Sequence, residues 1–338
     1  MSRCDEPFAA SCAASDMAAG LVPKRMPAGQ SGDASHDSQA LSSQLRAAAE
    51  TLRAAGVDTP QVDAKLLMAC TYGVELHDID KAMLLGRELS EDAQAAGRFK
   101  TMLARRLARE PLQYITGHAP FRFLDLAVGP GVFIPRPETE SVVQAALDWL
   151  GGQRIAQPRV VDLCAGSGAI GLSVATELPK SQVWAVERSP QALAWTRRNR
   201  DTVLSDAVLG AANESARYHL IQGDATDAET LAELDGTIDT VVTNPPYVPL
   251  SQIPEQPEVR EHDPDMALYG GSDDGLTIPI AILIRSAALL RHGGLLVMEH
   301  DISQGQPLVE CALRNGFETA RTGNDLTGRP RYLFAIRG

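Results

Sequence analysis

The sequence predicts an α/β protein: a small helical domain, a β-hairpin linker, then a mostly parallel sheet with helices on both faces. Three observations carry this. Apolar residues recur at the helical spacings of three and four from Leu41 to about residue 110. From Val160 onward, short apolar runs alternate with longer amphipathic stretches, the mark of repeated β-α units and a parallel sheet. Between the two lies a partly alternating segment around a Gly-Pro-Gly turn.

The chain has 338 residues, more than a typical single domain, which suits two folded parts and a tail. No apolar run approaches the roughly 18 residues of a membrane span, so a membrane reading fails. The five cysteines (Cys4, Cys12, Cys70, Cys164 and Cys311) form no CxxC pair and have no histidines at zinc spacing. That pattern points to a reduced, cytoplasmic compartment and to no metal. Residues 1–40 lack the apolar core of a secretion signal and are rich in small and polar residues, as in Gly29-Gln30-Ser31-Gly32-Asp33; they are expected to form a disordered tail.

Charge narrows the partners. Residues 41–120 are neutral overall and residues 121–338 carry a net charge of −10. Affinity for a phosphate backbone comes from Lys and Arg displacing counterions, and no basic stripe is present here. Nucleic acid as sole substrate therefore loses weight.

In chain order, the first helix carries Leu41, Leu45, Ala48, Ala49 and Leu52 on one face, with Ser42 or Ser43 as N-cap and Gly56 as stop. A second covers Gln61 to Thr71. A third follows Ser90, a good N-cap, and runs past Phe99, Met102, Leu103 and Leu107 to the break at Pro111. These make a helical domain over residues 41–116. The linker, 117–136, is read as a hairpin of Phe121–Val128 and Val132–Ile134 about the Gly129-Pro130-Gly131 turn. The remainder, 137–338, opens with an amphipathic helix bearing Val142, Val143, Ala146 and Leu150; Pro137 suits its first turn and the acids its positive end. Strands then fall at 160–163, 183–186, 218–222, 238–242, 295–298, 317–321 and 332–336, with helices at 169–178 and 189–200. Ligands in such folds sit at the carboxyl ends of the strands.

Three strand ends carry candidate ligand contacts. After the first, Asp162-Leu163-Cys164-Ala165-Gly166-Ser167-Gly168 is a small-residue loop that lets backbone approach a ligand closely. It departs from the dinucleotide fingerprint GxGxxG. Glu187 ends the second strand, where an acid can accept both ribose hydroxyls of an adenosine. Asp224, followed by Ala225, ends the third, within reach of an adenine amino group. A lone acid at a strand end is commonly just solvated. Acids at successive strand ends point to one nucleoside, from either NAD or S-adenosylmethionine.

The fourth strand decides between them, because it runs into Asn244-Pro245-Pro246-Tyr247. Two prolines lock φ and remove two backbone donors, which makes the loop stiff and leaves its carbonyls outward. The Asn amide offers one acceptor and two donors, and the Tyr ring a flat face for stacking. This set suits a planar NH2 group conjugated to a π-system, a glutamine amide or an exocyclic base amine, whose lone pair is delocalised and poorly nucleophilic. Acceptors at its two N–H bonds, the Asn244 side-chain oxygen and the Pro245 carbonyl, favour a pyramidal nitrogen aimed at a sulfonium methyl. Candidate catalytic residues are thus Asn244, Pro245, Pro246 and Tyr247. Candidate cofactor contacts are Asp162, Cys164, Ala165, Gly166, Ser167, Gly168, Glu187, Asp224, Ala225 and again Asn244.

The strand-end pattern resembles the class I (Rossmann-like) methyltransferase fold. From about Leu41 to the end the chain also resembles the release-factor glutamine N5-methyltransferase (HemK/PrmC) family. The resemblance rests on Glu110–Gly117, on Phe133-Ile134-Pro135-Arg136-Pro137-Glu138-Thr139-Glu140, on the 162–168 loop and on Asn244–Tyr247. It rests further on Asp263-Pro264 with Ala267-Leu268, and on Gly293–His300. It implies S-adenosylmethionine as cofactor, a helical domain that docks a peptide-chain release factor, and a catalytic domain that receives the glutamine of a Gly-Gly-Gln motif. The chain departs from the family at Cys164, where Gly is usual, and at Ala225, where an aromatic often covers the adenine. Alternatives for the NPPY chemistry are glutamine methylation of a ribosomal protein and amino methylation of DNA adenine or rRNA guanine. A silent binding module is disfavoured by the intact Asn244 motif.

Overall fold

The computed structural model describes residues 34–85, 89, 92, 94–205 and 217–338. Most of the expected tail, residues 1–33, and the expected N-cap Ser90 lie outside the described residues. Residues 34–40 are not tail: they open the first helix, α1 (Ala34–Ala54). Nothing before Leu41 interrupts the helix, and extension adds one hydrogen bond per residue fixed once a helix exists. The segment, Ala34 to Ala40, holds no large apolar residue, so no periodicity announced it.

The helical domain continues with α2 (Pro60–Tyr72), α3 (Leu76–Leu85), α4 (Ala95–Leu107) and α5 (Leu112–Thr116). The stripe Leu41, Leu45, Ala48, Ala49 and Leu52 is buried against Met68, Ile79 and Ala82, as its spacing predicts. Pro60 sits in the first turn of α2 and Gly73, at φ 63°, ends it. The sequence reading missed α3, which buries only Ile79 and Ala82 and leaves Leu84 exposed.

The linker corrects the expected register. A hairpin exists, but it pairs β1 (His118–Phe121) with β2 (Leu124–Ala127), and the chain turns at Arg122-Phe123 rather than at Gly129–Gly131. Arg122 takes the left-handed conformation, φ 52°. It is held there because its guanidinium bonds both Glu177 oxygens (2.6 and 2.7 Å) and its N–H donates to Glu140 Oε1 at 3.0 Å. Residues 132–134 have no strand partner. Val132 and Ile134 are buried, and the Val132 carbonyl accepts the Tyr114 hydroxyl at 2.5 Å.

The α/β domain opens with α6 (Thr139–Gly152) and continues through β3 (Arg159–Leu163), α7 (Ala169–Glu177), β4 (Gln182–Glu187), α8 (Pro190–Val203), β5 (Tyr218–Gln222) and β6 (Ile238–Thr243). Two short helices follow, α9 (Pro257–His262) and α10 (Asp265–Leu268), then α11 (Thr277–Leu289), β7 (Leu290–Glu299), α12 (Gly305–Arg314), β8 (Phe317–Asn324) and β9 (Pro330–Arg337). Strand order is β5-β4-β3-β6-β7-β9-β8, parallel from β5 to β7, with β9 antiparallel to both its neighbours. One apolar cluster lies on each face of the sheet. The chain proceeds from β3 to β4 on one side and returns with β6 on the other, so a crevice opens past the carboxyl ends of β3 and β6.

Charged groups join the two domains. Glu258 of α9 accepts from Arg106 (2.7 Å) and Arg109 (2.7 Å) of the helical domain, and Arg106 also bonds Asp63 at 2.7 Å. Burial opposes ionisation of Glu258, but the two guanidiniums outweigh it and hold its carboxyl at about 2.

Candidate active site

The crevice holds a cavity of about 370 Å³. Its near wall is the loop after β3. Ala165 N–H donates to the Val186 carbonyl (2.9 Å) and Gly168 N–H to the Ala165 carbonyl (2.7 Å), which closes a tight turn. Gly168 has φ 87°, and a Cβ there would meet Leu172 Cδ1 at 2.9 Å and Thr196 Cγ2 at 3.0 Å, so only glycine fits. Cys164 holds φ 71° without that freedom.

The sequence-predicted residues divide in two. Cys164, Ala165, Gly166, Ser167, Glu187, Asp224, Ala225, Asn244 and Pro246 all line the cavity. Asp162, Gly168, Pro245 and Tyr247 are not in its lining. Asp162 lies fully buried behind the loop, where Oδ2 accepts the Gly171 N–H of α7 at 2.9 Å and Oδ1 has no partner. Burial, only partly offset by that N–H, pushes its carboxyl up to about 7. Its position is that of a strut for the loop and the start of α7. Tyr247 turns its hydroxyl to Glu299 Oε1, 3.0 Å away, and its carbonyl accepts from Gln304 Nε2 at 2.8 Å. It braces the loop rather than presenting a face to the cavity.

Glu187 terminates β4 with its carboxylate fixed by backbone. Oε2 accepts the Gly166 N–H at 2.8 Å and Oε1 the Ser189 N–H at 2.7 Å. Each oxygen retains lone-pair capacity toward the cavity, enough for two hydroxyl donors. Burial raises its pKa, against the pull of these backbone N–H groups. Asp224 is tied into a local turn, Oδ1 accepting from Thr226 N–H (2.9 Å) and Oγ1 (2.7 Å), while Oδ2 lies 3.4 Å from Arg188. The lining is completed by Met266, Ile278 and Ile282. These three follow the NPPY loop in sequence, and no periodicity linked them to the site.

Asn244 lines the cavity together with Phe133, Pro135 and Thr139 from the segment 133–140. Asn244 Nδ2 donates to Thr139 Oγ1 at 3.3 Å, and Thr139 Oγ1 donates to Glu299 Oε2 at 2.6 Å. Thr139 and Glu299 sat inside quoted motifs, but nothing in spacing or composition marked either as a partner of Asn244. Among the described residues no group of three or more His, Cys, Asp or Glu side chains is placed to hold a metal ion. No described helix is long and apolar enough to cross a membrane.

Comparisons with known proteins bear on the chain's family. A family model described as the PrmC N-terminal domain matches residues 43–117, and one described as Conserved hypothetical protein 95 matches residues 113–259. A release factor glutamine methyltransferase from Bifidobacterium longum is 60% identical over 292 residues, covering 86% of this chain and 98% of that protein. A protein of the same name from Streptomyces coelicolor is 44% identical, covering 87% of this chain and 97% of the relative. A solved structure of a protein-(glutamine-N5) methyltransferase (release factor-specific) from Alicyclobacillus acidocaldarius aligns at 24% identity with a TM-score of 0.34, over 62% of this chain and 98% of that one. With relatives this similar along nearly their whole length, the chain belongs to the release factor glutamine methyltransferase family.

Proposed function

We propose that this protein transfers a methyl group from S-adenosylmethionine to the side-chain amide nitrogen (N5) of the glutamine in the Gly-Gly-Gln motif of a peptide-chain release factor. The observation that carries the reading is that Asn244 of the NPPY loop and Glu187 at the end of β4 line one cavity. An acceptor for an amide N–H thus shares a chamber with an acceptor for a ribose.

The residues present fit the cofactor. The cavity, about 370 Å³, falls in the range of small-molecule sites, roughly 300–1,000 Å³. Its lining suits a nucleoside with an amino-acid arm. Glu187 would take the ribose hydroxyls; Asp224, Ala225, Ile278 and Ile282 would border the adenine; the backbone of Cys164–Ser167 would follow the chain between. S-adenosylmethionine, when bound, supplies an electrophilic methyl on a sulfonium sulfur. Asn244 Oδ1, in the cavity lining, would accept from one N–H of the glutamine amide and so help localise its lone pair on nitrogen; the Pro245 carbonyl, outside that lining, is the candidate for the other. Pro245 and Pro246, both buried, keep these acceptors from relaxing away. Tyr247, braced on Glu299 and Gln304, fixes the far end of the loop.

For the substrate, the helical domain is the docking element; the PrmC N-terminal domain model, which matches residues 43–117, supports this reading. The Arg106–Glu258–Arg109 clamp places it beside α9, which lies in the connection from the NPPY loop to the cavity residues 264–267. A competition assay tests the assignment: labelled S-adenosylmethionine is supplied with an intact release factor, ribosomal proteins, ribosomal RNA and DNA together. Label is expected in the release factor. Label chiefly in any of the others would refute it.

A further inference from the structure

A buried chain of hydrogen bonds runs from Asn244 away from the cavity. Asn244 Nδ2 donates to Thr139 Oγ1 (3.3 Å), Thr139 Oγ1 donates to Glu299 Oε2 (2.6 Å), and Tyr247 donates its hydroxyl to Glu299 Oε1 (3.0 Å). Thr139 is 3% exposed and Glu299 1% exposed, so water does not substitute for these partners.

With Glu299 ionised, this chain of hydrogen bonds has one arrangement. An ionised carboxylate only accepts, so Glu299 accepts a hydrogen bond from each of two hydroxyls. Thr139 has one O–H, and it is committed to Glu299. Its oxygen can then only accept from Asn244. The two ends of an asparagine amide have the same shape, and their partners decide which end faces which way. Only the NH2 end satisfies Thr139, which leaves Oδ1 at the other end. If Thr139 instead donated to Asn244, the amide would present NH2 to the cavity, a donor facing the NH2 of the substrate.

We propose that Thr139 and Glu299 are positioning residues for methyl transfer, which lock the Asn244 amide with its oxygen toward the substrate nitrogen. This rests on the amide-methylation reading above, and it gives the threonine of the IPRPETE segment a definite task. Burial of Glu299 raises its pKa, and the two hydroxyl donors with nearby Arg331 work against that rise in favour of the ionised form.

The test combines kinetics with a double-mutant cycle. Thr139→Val, similar in shape but without the hydroxyl, should lower kcat on the order of 10- to 100-fold through misplacement of one reacting contact. Cofactor affinity and KM for the release factor should stay within about threefold, because the lost interaction belongs to the transition state. Thr139→Ser, which keeps the hydroxyl, should restore most of the rate. In the Asn244→Ala background Thr139→Val should cost nothing further, since it acts only through Asn244. Glu299→Gln, run through the same cycle, decides the matter should Thr139→Val not fold. A wild-type kcat in Thr139→Val, or an equal fold-loss with and without Asn244, would overturn the proposal. A separate NMR readout needs no substrate: the Asn244 side-chain NH2 protons should show a nuclear Overhauser effect to the Thr139 methyl. Its absence in the wild-type protein would also overturn the lock. If that effect is present and the wild-type enzyme leaves release factor unmethylated, the lock stands and the substrate reading fails.

Discussion

Glu187 Oε2 accepts the Gly166 N–H at 2.8 Å, so the carboxylate at the end of β4 and the turn after β3 are one unit. Replacing Glu187 with Ala removes the proposed ribose acceptor and a tether of the loop together. One hydrogen bond to a charged group is worth about 1.5–3 kcal/mol, so affinity for S-adenosylmethionine should fall by roughly 10- to 150-fold or more. Titration calorimetry reads this directly. An unchanged dissociation constant would remove Glu187 from the site.

Asp162 gives a pH signature. Burial raises its folded-state pKa to about 7, against roughly 4 for an unfolded carboxyl. Between those values the unfolded chain has released the proton and the folded one retains it, so stability falls as pH rises through this window, by at most about 1.4 kcal/mol per unit, and levels off above it. Asp162→Asn keeps an oxygen for the Gly171 N–H and does not ionise. Its stability relative to wild type should therefore climb from about pH 4 to about pH 7 and then stay flat, as read by urea unfolding at several pH values. A difference independent of pH would contradict the assignment.

Glu258 tests the join between domains. Glu258→Ala leaves Arg109 without its carboxylate and Arg106 with Asp63 alone. Breaking a buried ion pair from one side costs about 3–5 kcal/mol, and the partial exposure of Arg109 and Glu258 reduces this to roughly 2–3 kcal/mol. Thermal unfolding should shift down accordingly. If the helical domain docks the factor as proposed, KM for the release factor should rise more than KM for a short Gly-Gly-Gln peptide, because only the intact factor would use that domain. Equal changes for both would argue against docking through that domain.

Much of this was legible in the chain. The stripe from Leu41 to Leu52, the strands at 160–163, 183–186 and 218–222, and the acid at the end of β4 follow from period and turn chemistry, which are local properties. The features that were not legible lie where a distant side chain decides. Arg122 turns the hairpin because Glu140 and Glu177, from other elements, hold it at positive φ. Asp162 is a strut because α7 folds back over it, and Tyr247 leaves the cavity because Glu299, 52 residues away, takes its hydroxyl. Thr139 was visible as part of a motif, but its partnership with Asn244 spans 105 residues and appears only when α6 packs beside the end of β6. Residues 34–40, which hold no large apolar residue, and α3, which buries only Ile79 and Ala82, were missed for a different reason: both carry a weak apolar period.

The most direct test of the central claim is a single-turnover methylation of intact release factor at saturating S-adenosylmethionine, with tandem mass spectrometry to place the added group, run on wild type and Asn244→Ala. The account predicts one methyl on the side-chain amide of the Gly-Gly-Gln glutamine in the wild-type reaction. In Asn244→Ala it predicts a rate lower on the order of 10²- to 10³-fold, the cost of removing one preorganised transition-state contact, with cofactor affinity retained. A methyl on any other residue, or a near wild-type rate without Asn244, would contradict it.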